Sequence, residues 1–364
     1  MAHSAHDWLA RIRALPIEGP VRIMNVCGGH ERAITFAGLR GALPAKIELI
    51  PGPGCPVCVC PEEDVYEAIR LARLEGVILV AFGDMLRVPA NVAKGQVRSL
   101  AEARAQGADV RPIASPREAV QIAREHPDQQ VVFFAAGFET TMAPVAAMLL
   151  EGVPDNLSLL LSGRLTWPAV AMLLESDSPG FDALVAPGHV ATVMGPEEWQ
   201  FVVERHQLPA AVAGFTPMSL LAAFYSVLRQ RLEGRLFLDN CYPELVRPGG
   251  NLRARQMLAQ VMEVRDAPWR GIGMIPRSGL FLREAFAAQD ARRRFAPQAG
   301  SRRRAGAMPP GCDCARVLLG RIPPNACRLY GTACTPRGPV GPCMVSDEGA
   351  CRIWWAGGVR SRAA

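Results

Sequence analysis

The chain has 364 residues, 49% hydrophobic and 20% charged, and its 40 lysines and arginines outnumber its 34 aspartates and glutamates for a formal charge of +6. That length accommodates two or three domains, and the balance is that of a globular protein with a sizeable core, which excludes overall disorder. No stretch approaches the ~20 apolar residues of a membrane span. Residues 1–16, with His3, His6, Asp7, Arg11 and Arg13, have no apolar signal core. A cytoplasmic protein with no membrane partner is expected. Eleven cysteines in a reducing compartment then read as metal ligands or redox groups rather than structural disulfides.

Short apolar runs at 21–26, 47–50, 77–82, 131–135, 157–161, 183–186 and 210–213 predict strands. Several are rich in Val and Ile and hydrophobic throughout, as buried parallel strands are. Between them, 62–74, 116–125, 141–151 and 197–207 predict helices. Alternating strands and helices imply βαβ units and doubly wound parallel sheets. The fold class expected is α/β, with two parallel-sheet domains over 1–125 and 126–240. Residues 241–364 follow as a linker and a small C-terminal domain. Ala136-Gly137-Phe138-Glu139-Thr140 echoes Ala213-Gly214-Phe215-Thr216-Pro217, and each follows a strand and opens a helix.

Chemistry-bearing residues gather at the predicted carboxyl ends of strands, where open α/β sheets bind ligands. Cys27-Gly28-Gly29-His30-Glu31 comes first. Its glycines let backbone approach a ligand, and Cys27 and His30 are close enough in sequence to serve one metal. The spacing is not that of a dinucleotide-binding loop. Gly52-Pro53-Gly54-Cys55-Pro56-Val57-Cys58-Val59-Cys60 comes next. Cys55 and Cys58 have the C-x-x-C spacing of a reversible disulfide, and a predicted helix start near Glu62 favours thiolate. Gly137-Phe138-Glu139-Thr140-Thr141 reads equally as a site or as a helix cap through Thr140 or Thr141. Pro187-Gly188-His189 is a strand-end histidine with either a structural or a functional role. Trp269–Gly273 and Pro276–Gly279 read as tight turns holding the linker, and Trp354 and Trp355 as packing. Arg292, Arg293, Arg294, Arg302, Arg303 and Arg304 form a basic run without a nucleic-acid motif. It reads as a solvated connection or docking face, and no nucleic-acid partner is expected.

Beyond about Pro309 the hydrophobic periodicity fades into Cys, Pro and Gly. A unit with so little core needs a metal for stability. It holds Cys312, Cys314, Cys327, Cys334, Cys343 and Cys351, more thiols than one zinc or one cubane cluster needs. Spacing alone leaves structural zinc and an iron–sulfur cluster both open.

These segments together resemble the HypD family of [NiFe] hydrogenase maturation factors, to about Trp355. The matching stretches are CGGHE at Cys27, LIPGPGCPVCVCPEEDV from Leu49, AFGDMLRVP from Ala81, AAGFETT from Ala135, APGHVATVMG from Ala186, WRGIGMIPRSGL from Trp269, and GTACTPRGPVGPCMVSDEGAC ending at Cys351. The resemblance implies two α/β domains and a C-terminal [4Fe–4S] domain likened to ferredoxin:thioredoxin reductase. It implies Cys312, Cys327, Cys334 and Cys351 as cluster ligands, with Cys314 and Cys343 as a pair beside them. Cys55 and Cys58 become a second redox pair. Cys27 and His30 become the site where iron receives cyanide and carbonyl. The implied partners are a HypC-type chaperone, a HypE-type cyanide donor and, indirectly, the hydrogenase large subunit. The chain departs from the family pattern in CGGHE for the usual CGTHT, in 162–168, in Thr216 and in 239–243, as a paralogue with altered partner choice would. The rival readings are a stand-alone iron–sulfur thiol–disulfide oxidoreductase and a zinc-stapled binding protein.

Overall fold

Strands covered on both faces need apolar side chains at every position, and the continuous Val, Ile, Leu and Ala runs of this chain meet that need. The computed structural model describes residues 4–176, 178–296 and 308–361. It contains eleven strands: β1 (Val21–Asn25), β2 (Ile47–Pro51), β3 (Val77–Phe82), β4 (Val110–Ile113), β5 (Gln130–Gly137), β6 (Leu157–Arg164), β7 (Ala183–Pro187), β8 (Ala210–Ala213), β9 (Leu238–Cys241), β10 (Met262–Trp269) and β11 (Gly273–Leu282). One sheet has the order β2-β1-β7-β8-β9, the other β10-β11-β6-β5-β3-β4. The first is parallel throughout. The second is parallel except at the edge, where β10 and β11 pair antiparallel to each other and β11 antiparallel to β6.

The two expected α/β units with parallel sheets are present, but they are not consecutive pieces of chain. The first sheet draws on residues 21–51 and 183–241, the second on 77–164 and 262–282. A boundary at 125/126 therefore falls between β4 and β5 of the second sheet, and one at 240/241 falls inside β9 of the first. The chain leaves the first sheet after β2, builds four strands of the second, and returns with β7. Residues 241–282 are not a linker, because β10 and β11 extend the second sheet. Pro276–Gly279 is no turn either. It lies inside β11, opposite a register shift between Arg265 and Ala267. Arg277 there has φ 51° and its N–H donates to Asp266 (2.9 Å). The Trp269 indole N–H donates to Ser278 (2.9 Å) and pins the hairpin to its own core.

In each sheet the strand order reverses at one place, and such switch points open a crevice beyond the strand ends. In the first sheet it lies between β1 and β7, in the second between β3 and β5. Helix Gly28–Phe36 starts after β1, helix Gly188–Met194 after β7, and helix Glu139–Leu150 after β5. The longest helix, Pro217–Glu233, has Thr216 as N-cap, Pro217 in its first turn, and left-handed Gly234 at its end. No helix among the described residues is long and apolar enough to cross a membrane.

The tail is not a freestanding unit. Cys314, Val317, Cys343 and Cys351 belong to one hydrophobic cluster with Cys58, Leu79, Phe134 and Trp269. Trp354, on helix Ala350–Ala356, donates its indole N–H to Glu31, and Arg40 lies over its ring at 4.8 Å. Arg22 on β1 donates to Gly320 (3.0 Å). Of the basic run, Arg292 is half-buried, bonded to Asp64 (2.7 Å) and the Leu161 carbonyl (2.8 Å). Arg293 pairs with Glu284. Arg302, Arg303 and Arg304, like His3, lie outside the described residues.

Candidate functional site

β1 runs through Asn25 to Cys27, which caps helix Gly28–Phe36 with no side-chain capping bond. Burial pushes the Cys27 thiol up to about 12, Glu348 adds to the shift, and the backbone N–H groups of His30 and Gly29 oppose it. The two glycines make room for the protein itself rather than for a ligand. A Cβ on Gly28 would stand 2.4 Å from the Glu348 carbonyl oxygen, and one on Gly29 would stand 2.6 Å from the Phe215 ring.

His30 is 0% exposed, not at a loop edge. Its Nε2 lies 2.9 Å from the carbonyl of Ala213 at the end of β8. A carbonyl only accepts, so Nε2 carries the proton and Nδ1 keeps a lone pair. Nδ1 is buried and has no partner among the described residues. Burial lowers the pKa of the ring to about 4, the Ala213 carbonyl opposes this, and His189 adds to it. The imidazole is therefore neutral at pH 7. Phe215 lies between the two histidines, 5.0 Å from His30 and 4.0 Å from His189 by ring centroids. His189 is exposed at the start of its helix.

After β2 the segment Gly52–Cys60 folds back under β1. A Cβ on Gly54 would fall 1.3 Å from the Val26 carbonyl oxygen, so only glycine fits. Cys55 and Cys58 form a disulfide with Cα atoms 5.2 Å apart. Cys55 caps its own short helix, Pro56–Val59, and accepts the Cys58 N–H (3.1 Å). Cys27 and Cys55 line one small cavity of about 10 Å³ together with Leu318, Glu348 and Ala350 from the tail. The structure thus brings together Cys27, the Cys55–Cys58 disulfide and the segment leading to Cys351.

The six tail cysteines form a second group. Cys312 and Cys314 are 3.4 Å apart at sulfur. Cys343 is hydrogen-bonded to both Cys314 and Cys351, and those bonds hold it well above the usual thiol range. Cys314 and Cys343 lower Cys351 to about 6, so it favours thiolate. Burial raises Cys334 to about 11, and its sulfur accepts the Val340 N–H (3.3 Å). Cys327 is also raised by burial. A Cβ on Gly341 would collide with Cys312 and Cys314, at 2.4 and 2.6 Å from their sulfurs. Among the described residues no three His, Cys, Asp or Glu side chains surround a single metal-ion position. The donor set is sulfur alone, chemistry that fits an iron–sulfur group and a structural zinc alike.

Other buried groups were not legible as site residues. Thr140 and Thr141 do not cap helix Glu139–Leu150, whose N-cap Phe138 makes no side-chain bond. Glu139 itself is 0% exposed and accepts the Thr166 N–H (2.6 Å) and hydroxyl (2.7 Å). Burial pushes its carboxyl up to about 7. Cys60 lies 3.5 Å from the Ser162 hydroxyl, which donates to Asp64 (2.6 Å). Burial pushes the Cys60 thiol up to about 12. The sequence singled out the segments that hold Glu139 and Cys60, but not the partners Thr166, Ser162 and Asp64, which lie far along the chain.

The fold and site define a class: a two-sheet α/β protein with thiols at a switch point and a cysteine-rich tail packed against it. The HypD family profile, described as "Hydrogenase formation hypA family", matches residues 3–358. The chain is 43% identical over 351 residues to hydrogenase maturation factor HypD of Azotobacter vinelandii, covering 94% of this chain and 90% of that protein. It is 39% identical over 347 residues to HypD of Escherichia coli K12, covering 93% and 89%. It is 38% identical over 338 residues to a putative hydrogenase expression/formation protein of Methanocaldococcus jannaschii, covering 92% and 91%. This chain belongs to the HypD family.

Proposed function

We propose that the chain is a hydrogenase maturation factor, a scaffold with thiol redox capability on which the Fe(CN)2CO unit is assembled. The observation that supports this reading is the meeting of Cys27, Cys55 and the tail residues Leu318, Glu348 and Ala350 around one point. Iron is the cargo, held by Cys27 together with a thiol of a HypC-type chaperone, while a HypE-type partner delivers cyanide. A soft thiolate suits low-spin iron carrying strong-field ligands. Cys27 must first lose its proton, and the N–H groups of Gly29 and His30 favour the resulting thiolate. His30, buried and bonded through Nε2 to the Ala213 carbonyl, would hold the start of the helix that carries Cys27. The Cys55–Cys58 disulfide can take up two electrons and two protons to give two thiols. A [4Fe–4S] cluster held by Cys312, Cys327, Cys334 and Cys351 would supply single electrons. Cys314 and Cys343, hydrogen-bonded to each other, would form the pair beside it.

An infrared spectrum of the complex with a HypC-type chaperone, purified anaerobically, tests the reading. Cyanide and carbonyl stretching bands are expected. A complex loaded with iron but lacking both bands would instead favour a stand-alone thiol–disulfide oxidoreductase.

A further inference from the structure

Phe215 stands two residues past the end of β8, in the crevice that Cys27 and His189 reach from β1 and β7. A Cβ on Gly29 would have two carbons of the Phe215 ring, at 2.6 and 2.8 Å, and the Cys27 sulfur, at 3.5 Å, as its nearest neighbours. Ring and thiol therefore border the same space, which a glycine leaves open to them. One neighbour of the ring is fixed. His30, 5.0 Å away by centroids, is buried and held by the Ala213 carbonyl (2.9 Å). The other, His189, is exposed and packs at 4.0 Å. Tyr242 meets the ring edge-on at 6.4 Å. The backbone around Phe215 is pinned: the Ser219 hydroxyl accepts the Gly214 N–H (2.7 Å), and the Thr216 hydroxyl accepts the Ser219 N–H (3.2 Å). The ring itself is half-buried, so it can swing toward solvent about its own side-chain bonds while the backbone stays in place.

We propose that Phe215 is the gate residue of the Cys27 site: its ring, held between His30 and His189, sets how large a group reaches the thiol from the crevice. The inference deepens the proposed function and rests on reading Cys27 as the thiol that meets the cargo there. Aromatic packing against both histidines keeps the ring closed at rest. An incoming group must be small enough to pass the ring or must wait for it to open. His189 is the neighbour whose packing can yield without disturbing the core, because its own ring is exposed.

The test is the rate at which Cys27 is alkylated in the full-length protein, purified anaerobically and followed peptide by peptide by mass spectrometry. The reagents are N-ethylmaleimide and the bulkier N-pyrenylmaleimide. Wild type should favour the small reagent. Phe215→Ala should speed the bulky reagent about tenfold more than the small one, the population change that losing an aromatic pair allows. Phe215→Tyr should keep the wild-type ratio. His189→Ala, at an exposed position, should move the ratio in the same direction but less. That variant decides the matter if Phe215→Ala fails to fold, and an unchanged ratio in it would then overturn the gate. A ring that merely fills space would lower the melting temperature of Phe215→Ala and raise both rates alike, and that result too would overturn the gate. So would a Cys27 that is labelled in the unfolded chain but in no folded variant. The rates belong to the chain alone, without iron, so a failed gate leaves the proposed function standing. The infrared spectrum of the Cys27→Ala complex tests that function separately.

Discussion

The packing of His30 is not legible in the sequence. From its place in CGGHE it reads as a loop-edge group with little packing. In the structure its ring is buried and bonded to Ala213 at the end of β8. His30→Ala should therefore cost stability as well as function, by about 1–3 kcal/mol for a buried acceptor left unpaired. Denaturant unfolding at pH 7 checks this, and an unchanged midpoint would show that the Ala213 bond contributes nothing. Glu139 makes a prediction about pH. Its folded pKa, near 7, lies above the value of about 4.5 that it starts from, so between these values the folded state holds a proton that the unfolded state has lost. Its contribution is thus present below pH 4.5 and lost as pH rises through 7, with a slope of at most ~1.4 kcal/mol per pH unit. Glu139→Gln should flatten the unfolding profile between pH 5 and 7.5. A parallel profile in the variant would place the carboxyl's pKa elsewhere.

At the level of elements, the seven apolar runs are all strands, because burial on both faces leaves an uninterrupted apolar signature. The missed strands lack it. β4 reads VRPI, β9 reads LDNC, and β10 carries Glu263, Arg265 and Asp266 as an antiparallel edge should. Helix Pro217–Glu233 went unread because Leu220, Leu221, Ala223, Phe224, Val227 and Leu228 are all buried, which blurs the one-sided stripe. The thiol segment was legible in the sequence, and its neighbours were not. Glu348 lies more than 300 positions from Gly28, and nothing local announces that they touch. The Cys55–Cys58 pair should cycle between disulfide and dithiol in graded dithiol buffers, which quantitative thiol trapping in a Cys60→Ser background would follow. A pair that stays in one state at every potential would be structural.

Across the whole molecule, the chain threads from the first sheet to the second and back, so the tail can rest on both. Trp354 reaches Glu31 behind Cys27, and Ser346 reaches Asp84 after β3 (2.8 Å). In the proposed function, replacing Cys312, Cys327, Cys334 or Cys351 with Ala should strip iron from the tail and loosen it. Cys314→Ala and Cys343→Ala should keep the iron. Iron analysis and visible absorbance separate the two groups, and equal iron in all six variants would sink the assignment.

Cys27 decides the central claim. The infrared spectrum of the anaerobic Cys27→Ala complex with a HypC-type chaperone should lack the cyanide and carbonyl bands of the wild type while the tail's visible absorbance stays intact. The two centres sit on separate segments of the chain, so the losses should be independent. Full cyanide and carbonyl bands in Cys27→Ala would mean that iron is held elsewhere, and would contradict the scaffold proposed here.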